Sequence, residues 1–207
     1  LLFSAFMLCS VALHAQLNVW TGTVGDKWSD EDNWSGTVPT SSDDVLISSG
    51  FTVTLDTPAN ILSLVVQGNS VLNVTECLTI ANPSEFEDNV IVNWISGDLL
   101  GCGILLNSGT INLSFNSFDI SGSTVLNNPG TINLLGAATI IIGTDSVLNN
   151  SGTGVINFQS NSTEITKCGA PPNVLNNFGT IKTTFPNPRE KGAIGTHLIN
   201  TDNITQG

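Results

Sequence analysis

After residue 15 the chain holds a single histidine, His197, so neither a Ser-His-Asp triad nor a histidine-based metal site is expected. Lyase chemistry on an acidic polysaccharide needs a base to take a proton and cations to hold the sugar. The only candidates are Lys167, Lys182, Arg189 and Lys191, all late in the chain. A glycosidase needs two carboxyls about 5–9.5 Å apart across a cleft. Asp98, Asp119 and Asp145 recur at intervals of 21 and 26 residues, which would stack them on one face of a repeating fold. Turn-forming aspartates on a solvated face are the expected reading, and no catalytic residue is assigned.

Asp30-Glu31-Asp32, Asp43-Asp44 and Glu85-Phe86-Glu87-Asp88 could offer oxygens to Ca²⁺. Neither EF-hand spacing nor a Gly-rich nonapeptide calcium repeat accompanies them, so solvated loops and no cofactor are expected. The cysteines beyond the leader are Cys77, Cys102 and Cys168, separated by 25 and 66 residues, close to one and three repeats. Stacked repeats place equivalent Cα atoms about 4.8 Å apart, inside the disulfide window. A Cys77–Cys102 disulfide is one reading; three buried thiols packed as small apolar groups is the other.

The balance of charge narrows the function classes. The 207 residues include 5 Lys+Arg against 17 Asp+Glu, a formal net charge of -12, and no Lys or Arg lies between Trp28 and Thr166. Nucleic-acid binding needs clustered cations, so it is excluded from the body of the protein. At 40% apolar residues with regular β-branched runs, the chain can offset the entropy of ordering, so disorder is not expected.

Residues 1–15 form an apolar run closing on Leu13-His14-Ala15, which reads as the core of a secretory signal peptide, incomplete at its start. It is shorter than the about 20 residues of a membrane span, so none is expected in the mature fragment. The mature chain is therefore placed outside the cell or on its surface.

The elements that would position any site are repeats. Leu105-Leu106-Asn107-Ser108-Gly109-Thr110-Ile111-Asn112 returns as Val125-Leu126-Asn127-Asn128-Pro129-Gly130-Thr131-Ile132-Asn133. It comes back as Val147-Leu148-Asn149-Asn150-Ser151-Gly152 with Val155-Ile156-Asn157, and as Val174-Leu175-Asn176-Asn177-Phe178-Gly179-Thr180-Ile181. A degenerate fifth copy runs from Leu198 to Ile204. Taking Gly109, Gly130, Gly152 and Gly179 as equivalents gives spacings of 21, 22 and 27, the last lengthened by an insertion at Lys167–Pro172. Each copy is a short strand, an Asn/Gly corner that tolerates left-handed backbone, and a second strand of period 2. One copy cannot bury its apolar face; stacked copies can, with equivalent Asn side chains in hydrogen-bonded ladders. Earlier, Leu62, Leu64 and Val66, then Leu72 and Val74, then Leu78 and Ile80 form short strands around a Gln67–Ser70 turn. The pattern predicts an all-β, right-handed parallel β-helix with coils of about 20–27 residues. The domains read as leader 1–15, a Trp-rich cap over 16–50 and coils over 51–207, with the sequence stopping inside a repeat.

Residues 20–47 carry Trp20-Thr21-Gly22, Trp28, Asn33-Trp34, Gly36-Thr37-Val38-Pro39 and Asp43-Asp44-Val45-Leu46-Ile47. In that order they resemble the opening block of secreted bacterial proteins with autotransporter-type β-strand repeats. The Asn-Gly-Thr-Ile phrases are similar to the coils of adhesin and haemagglutinin β-helices. The resemblance implies a secreted or surface-exposed β-helix, a passenger or stalk, and brings no catalytic motif. Trp20, Trp28 and Trp34 suit a cap over the first coil; Trp28 and Trp94 are the candidates for stacking on sugar. The insertion with Cys168, Pro171 and Pro172 and the Glu85–Asp88 loop are the expected contact points. The function expected is a structural stalk or adhesive passenger contacting an extracellular surface or glycan; the alternative is a carbohydrate-binding accessory region of a larger secreted polysaccharide-active enzyme.

Overall fold

The computed structural model describes residues 15–114, 117–160, 162–171 and 173–184. The apolar leader before Ala15, Pro172, Arg189, Lys191, His197 and the fifth repeat copy lie outside the described residues.

The chain is all-β and winds as a parallel β-solenoid with three sheets. The first sheet stacks Gln16–Val19, Asp43–Ile47, Ser63–Val66, Ser84–Phe86, Ile104–Asn107, Val125–Asn128, Val147–Asn150 and Val174–Asn177. The second stacks Thr52–Leu55, Val71–Val74, Ile91–Trp94, Thr110–Ser114, Thr131–Leu135, Val155–Phe158 and Thr180–Thr183. The third stacks Ala59–Ile61, Leu78–Ile80, Leu99–Gly101, Ser117–Ile120, Thr139–Ile142 and Glu164–Lys167. Six complete three-strand turns result, from Asp43 to Lys167. Their length follows from the register: 19 residues from Val45 to Leu64, 21 from Leu105 to Leu126, 27 from Leu148 to Leu175.

Period-2 alternation explains the lumen. In Val125-Leu126-Asn127-Asn128 the second and fourth side chains point in and the first and third out. Repeated in register, this builds inward columns such as Val53, Leu72, Val92, Ile111, Ile132 and Ile156, all buried. Stacking leaves every inner strand paired on both edges, so backbone groups inside the stack are satisfied. Asn69 and Asn89 take left-handed corners at φ 60° and 66°, where an Asn side chain is tolerated. Leu62 sits half-buried at the bend between Ile61 and Ser63, not in the lumen; Ile61 takes the inward place.

The lower end is closed as a solenoid end must be. Gln16–Val19 pairs beneath Asp43–Ile47, so the first sheet begins inside the segment 16–50. Trp28 N–H donates to Thr54 O at 2.8 Å and Thr54 N–H to Asp26 O at 2.6 Å, which covers the edge of the second sheet. Between these rungs, Trp34 lies edge-on to Trp20 (4.9 Å) and Trp28 (4.6 Å) and donates Nε1–H to Trp28 O at 2.8 Å. Asn33, fully buried, ties this knot by donating to Lys27 O and accepting from Val24 N–H. Ser29 donates N–H and Oγ–H to the Asp56 carboxylate, joining cap to first coil. Burial pushes the Asp56 carboxyl up, but the Ser29 hydrogen bonds and nearby Lys27 outweigh it and hold the group below its ordinary value.

Candidate functional site

Asparagine columns dominate the molecule. Inside the first sheet, Asn107 donates to Asn128 (2.7 Å), Asn128 to Asn150 (2.8 Å) and Asn150 to Asn177 (2.7 Å). A buried amide must be hydrogen-bonded, and each rung satisfies the next. Below Asn107 the column continues as Phe86, so the Asn107 Oδ1 is buried without a partner. On the outside of the second sheet, Asn93 donates to Asn73, Asn112 to Asn93, Asn133 to Asn112 and Asn157 to Asn133, at 2.9–3.2 Å. A third column, Asn127, Asn149 and Asn176, runs up the outside of the first sheet with two bonds of 2.8 Å.

Several expected contact residues are placed elsewhere by the fold. Trp28 and Trp94 are 1% and 2% exposed, so neither presents a face to a sugar. Trp28 belongs to the cap. Trp94 is an inward residue of its strand, packed edge-on against Phe118 at 4.6 Å with Nε1–H given to Gly97 O. Cys77 and Cys102 are free thiols, not a disulfide. The turn there is 21 residues, since Leu78 faces Leu99, so a separation of 25 puts Cys102 beside Ala81, four positions beyond the equivalent of Cys77. Cys102 and Cys168 are exposed and Cys77 half-buried, so these thiols do not fill the lumen either. Cys168 and Pro171 lie in the exposed loop that leaves the third sheet.

Asp30–Asp32 and Asp43–Asp44 stay with the cap and the first strands, and two further groups of carboxylates lie apart on the coils. Glu85, Glu87, Asp88 and Ser108 line an open surface cavity of about 260 Å³ beside the corner of the first and second sheets. No group of three or more metal-binding side chains forms among the described residues. On the third sheet Asp119 stacks above Asp98 and donates its backbone N–H to Asp98 Oδ1 at 3.1 Å, while Asp145 sits in a left-handed corner. Burial and the neighbouring Asp98 charge both raise the Asp119 pKa, and its Oδ1 is buried without a partner. A raised carboxyl pKa stabilises the fold fully below the ordinary carboxylate value, and that contribution is lost as pH rises through the raised value. Asp119→Asn is therefore expected to raise stability at pH 7, by no more than about 1 kcal/mol because the pair is partly solvated. The gain should vanish in urea melts run near pH 3; an equal gain at both pH values would contradict this.

One exposed residue stands out that the repeat pattern alone had not marked. Phe178 is 73% exposed at the corner joining the first and second sheets. The register puts Ser108, Pro129 and Ser151 at the same corner position, each following the buried Asn. Small or turn-forming residues therefore fill this place in the three coils below Phe178, with Glu87 and Gln67 lower down, and the Phe among them was the available signal.

Fold and surface together define a capped parallel β-solenoid whose described coils from Val71 upward are tied by columns of identical amides. No family model matches the chain, and neither a curated protein nor a solved structure matches it. Among the described residues no helix is long and apolar enough to cross a membrane.

Proposed function

We propose that the mature chain is a secreted or cell-surface β-solenoid that acts as a stalk or adhesive passenger and has no catalytic activity of its own. The observation that supports this reading is the continuity of the asparagine columns, which spend the polar side chains on the rod itself. Rungs that bond only to the next coil resist sliding and bending, as a spacer requires. The apolar leader supports export. The test has two arms. Antibody against the chain should label intact cells or the medium, and the purified chain should release neither reducing ends nor unsaturated products from polysaccharides. Confinement to the cytoplasm, or turnover of any polysaccharide, would overturn the reading. The second reading, a carbohydrate-binding part of a larger polysaccharide-active enzyme, is favoured by one observation, the exposed Phe178. A catalytic module encoded just beyond Gly207 would decide for it.

A further inference from the structure

We propose that the side of the rod formed by the first and second sheets binds a neutral polysaccharide, with Phe178 as the ring on which a sugar stacks. This rests on the non-catalytic surface reading above and names its partner.

Charge comes first. Between Leu99 and Thr163 the only charged residues are Asp119 and Asp145. Asp119 lies in the third sheet and Asp145 in the corner leaving it. From Ile104 to Phe158 the outer faces of the first and second sheets, and the corner between them, therefore carry no charge, on a chain of net charge -12. Glu85, Glu87 and Asp88 bound this band below, and Lys182 bounds it above. A polyanion meets no array of cations there and a polycation no carboxylate, so the complementary partner is uncharged.

The band also keeps hydrogen-bonding capacity in reserve. Thr110, Thr131 and Thr180 stand in one outward column, with Val155 between the last two, and their side-chain hydroxyls have no hydrogen-bond partner among the described residues. In the outward column of the first sheet, the Asn127 side chain donates to no group and the Asn176 side chain accepts from none among the described residues. Sugar hydroxyls both donate and accept, which matches this mixture of amides and hydroxyls. A lone exposed apolar side chain signals little. Phe178 differs because it stands at the edge of this band, where equivalent corners hold Ser108, Pro129 and Ser151. An aromatic face with a few polar groups around it is the usual composition of a small-ligand site.

A second copy of the chain fits less well. Three coils of about 4.8 Å by four residues of about 3.3 Å give each sheet face an area on the order of 200 Å². A stable protein interface needs about 800 Å² per partner. The two faces also meet at a corner, so one flat partner cannot cover both. A linear polymer is not bound by that limit, since it can follow the rod.

Affinity electrophoresis of the full chain tests the proposal, with soluble neutral glycans (a β-glucan, a xylan, a mannan and dextran) in the gel and polygalacturonate as the polyanion control. At least one neutral glycan should retard the chain while polygalacturonate does not. Phe178→Ala should weaken the retardation at least about tenfold, Phe178→Trp should preserve it, and Thr131→Val should weaken it without changing the melting curve. Phe178 is exposed, so its variants should fold. Retardation by no neutral glycan, equal retardation by polygalacturonate, or an unchanged Phe178→Ala variant would overturn the proposal. So would self-association without glycan that Phe178→Ala abolishes, which would assign the band to a second copy. None of these failures touches the stalk reading, which falls only on its own assays.

Discussion

Gly154→Ala is expected to cost about 1–3 kcal/mol of unfolding stability, while Gly152→Ala, two residues earlier, should be neutral or stabilising by about 0.4–1 kcal/mol. The register explains the contrast. Val155 faces Thr131 below and Thr180 above, so Gly154 shares its column with Gly130 and Gly179. In this column each glycine carbonyl accepts an N–H from the next coil: Gly109 from Thr131, Gly130 from Val155, Gly154 from Thr180. The coil below comes so close that a Cβ on Gly154 would fall on the Asn128 carbonyl oxygen, and one on Gly130 on that of Gly109. Both obstacles are backbone and cannot swing away. Gly152 has open space around its Cβ position and does not take the left-handed conformation, so alanine there only restricts the unfolded chain. Midpoints of urea unfolding for Gly130→Ala, Gly152→Ala and Gly154→Ala decide it. Equal loss at Gly152 and Gly154 would mean that the coil takes the corner in another register.

That pair of glycines also shows where the sequence stops being readable. Phrase matching aligns Gly152 with Gly130 because both follow Asn-Asn-x. The coil instead aligns Val155-Ile156-Asn157 with Thr131-Ile132-Asn133, because inward and outward parity must be kept through the second sheet. Two extra residues are absorbed in the corner, where no ladder enforces the count. Cys77 and Cys102 fail for a related reason: a repeat length known to within a few residues cannot say which side chains meet, since register must hold to the residue. Trp94 was open to a better reading, as Ile91-Val92-Asn93-Trp94 alternates and sends Val92 and Trp94 inward together. Trp28 lies outside any strand, so parity says nothing about it. Its burial comes from tertiary packing against Trp34. What was legible was the repeating unit: strand, Asn/Gly corner, strand, with ladders of Asn as the consequence of stacking. The uncharged band was not, because it depends on which coil face each charge reaches.

The buried ladder makes a sharper demand than the glycines, because its members should not act independently. Asn128→Leu removes the acceptor of Asn107 and the donor of Asn150, two buried groups with no water to replace them. At about 1–3 kcal/mol for each orphaned group, the loss should be about 2–5 kcal/mol. Asn107→Leu differs because Asn107 is the last rung. Its Oδ1 already lacks a partner, so the substitution exchanges that orphan for the Oδ1 of Asn128. The leucine extends the apolar column of Ile47, Val66 and Phe86 beneath it, and the net change should stay within about 1 kcal/mol. In the double variant the frontier between apolar column and amide ladder moves up one coil, leaving only the Asn150 Oδ1 unsatisfied. Asn107→Leu should therefore rescue most of the damage done by Asn128→Leu, giving a coupling energy of about 2 kcal/mol between adjacent coils. Urea unfolding of the two single variants and the double variant measures it. Additive losses would show that each amide is stabilised by its own coil, and that the column does not tie one turn to the next.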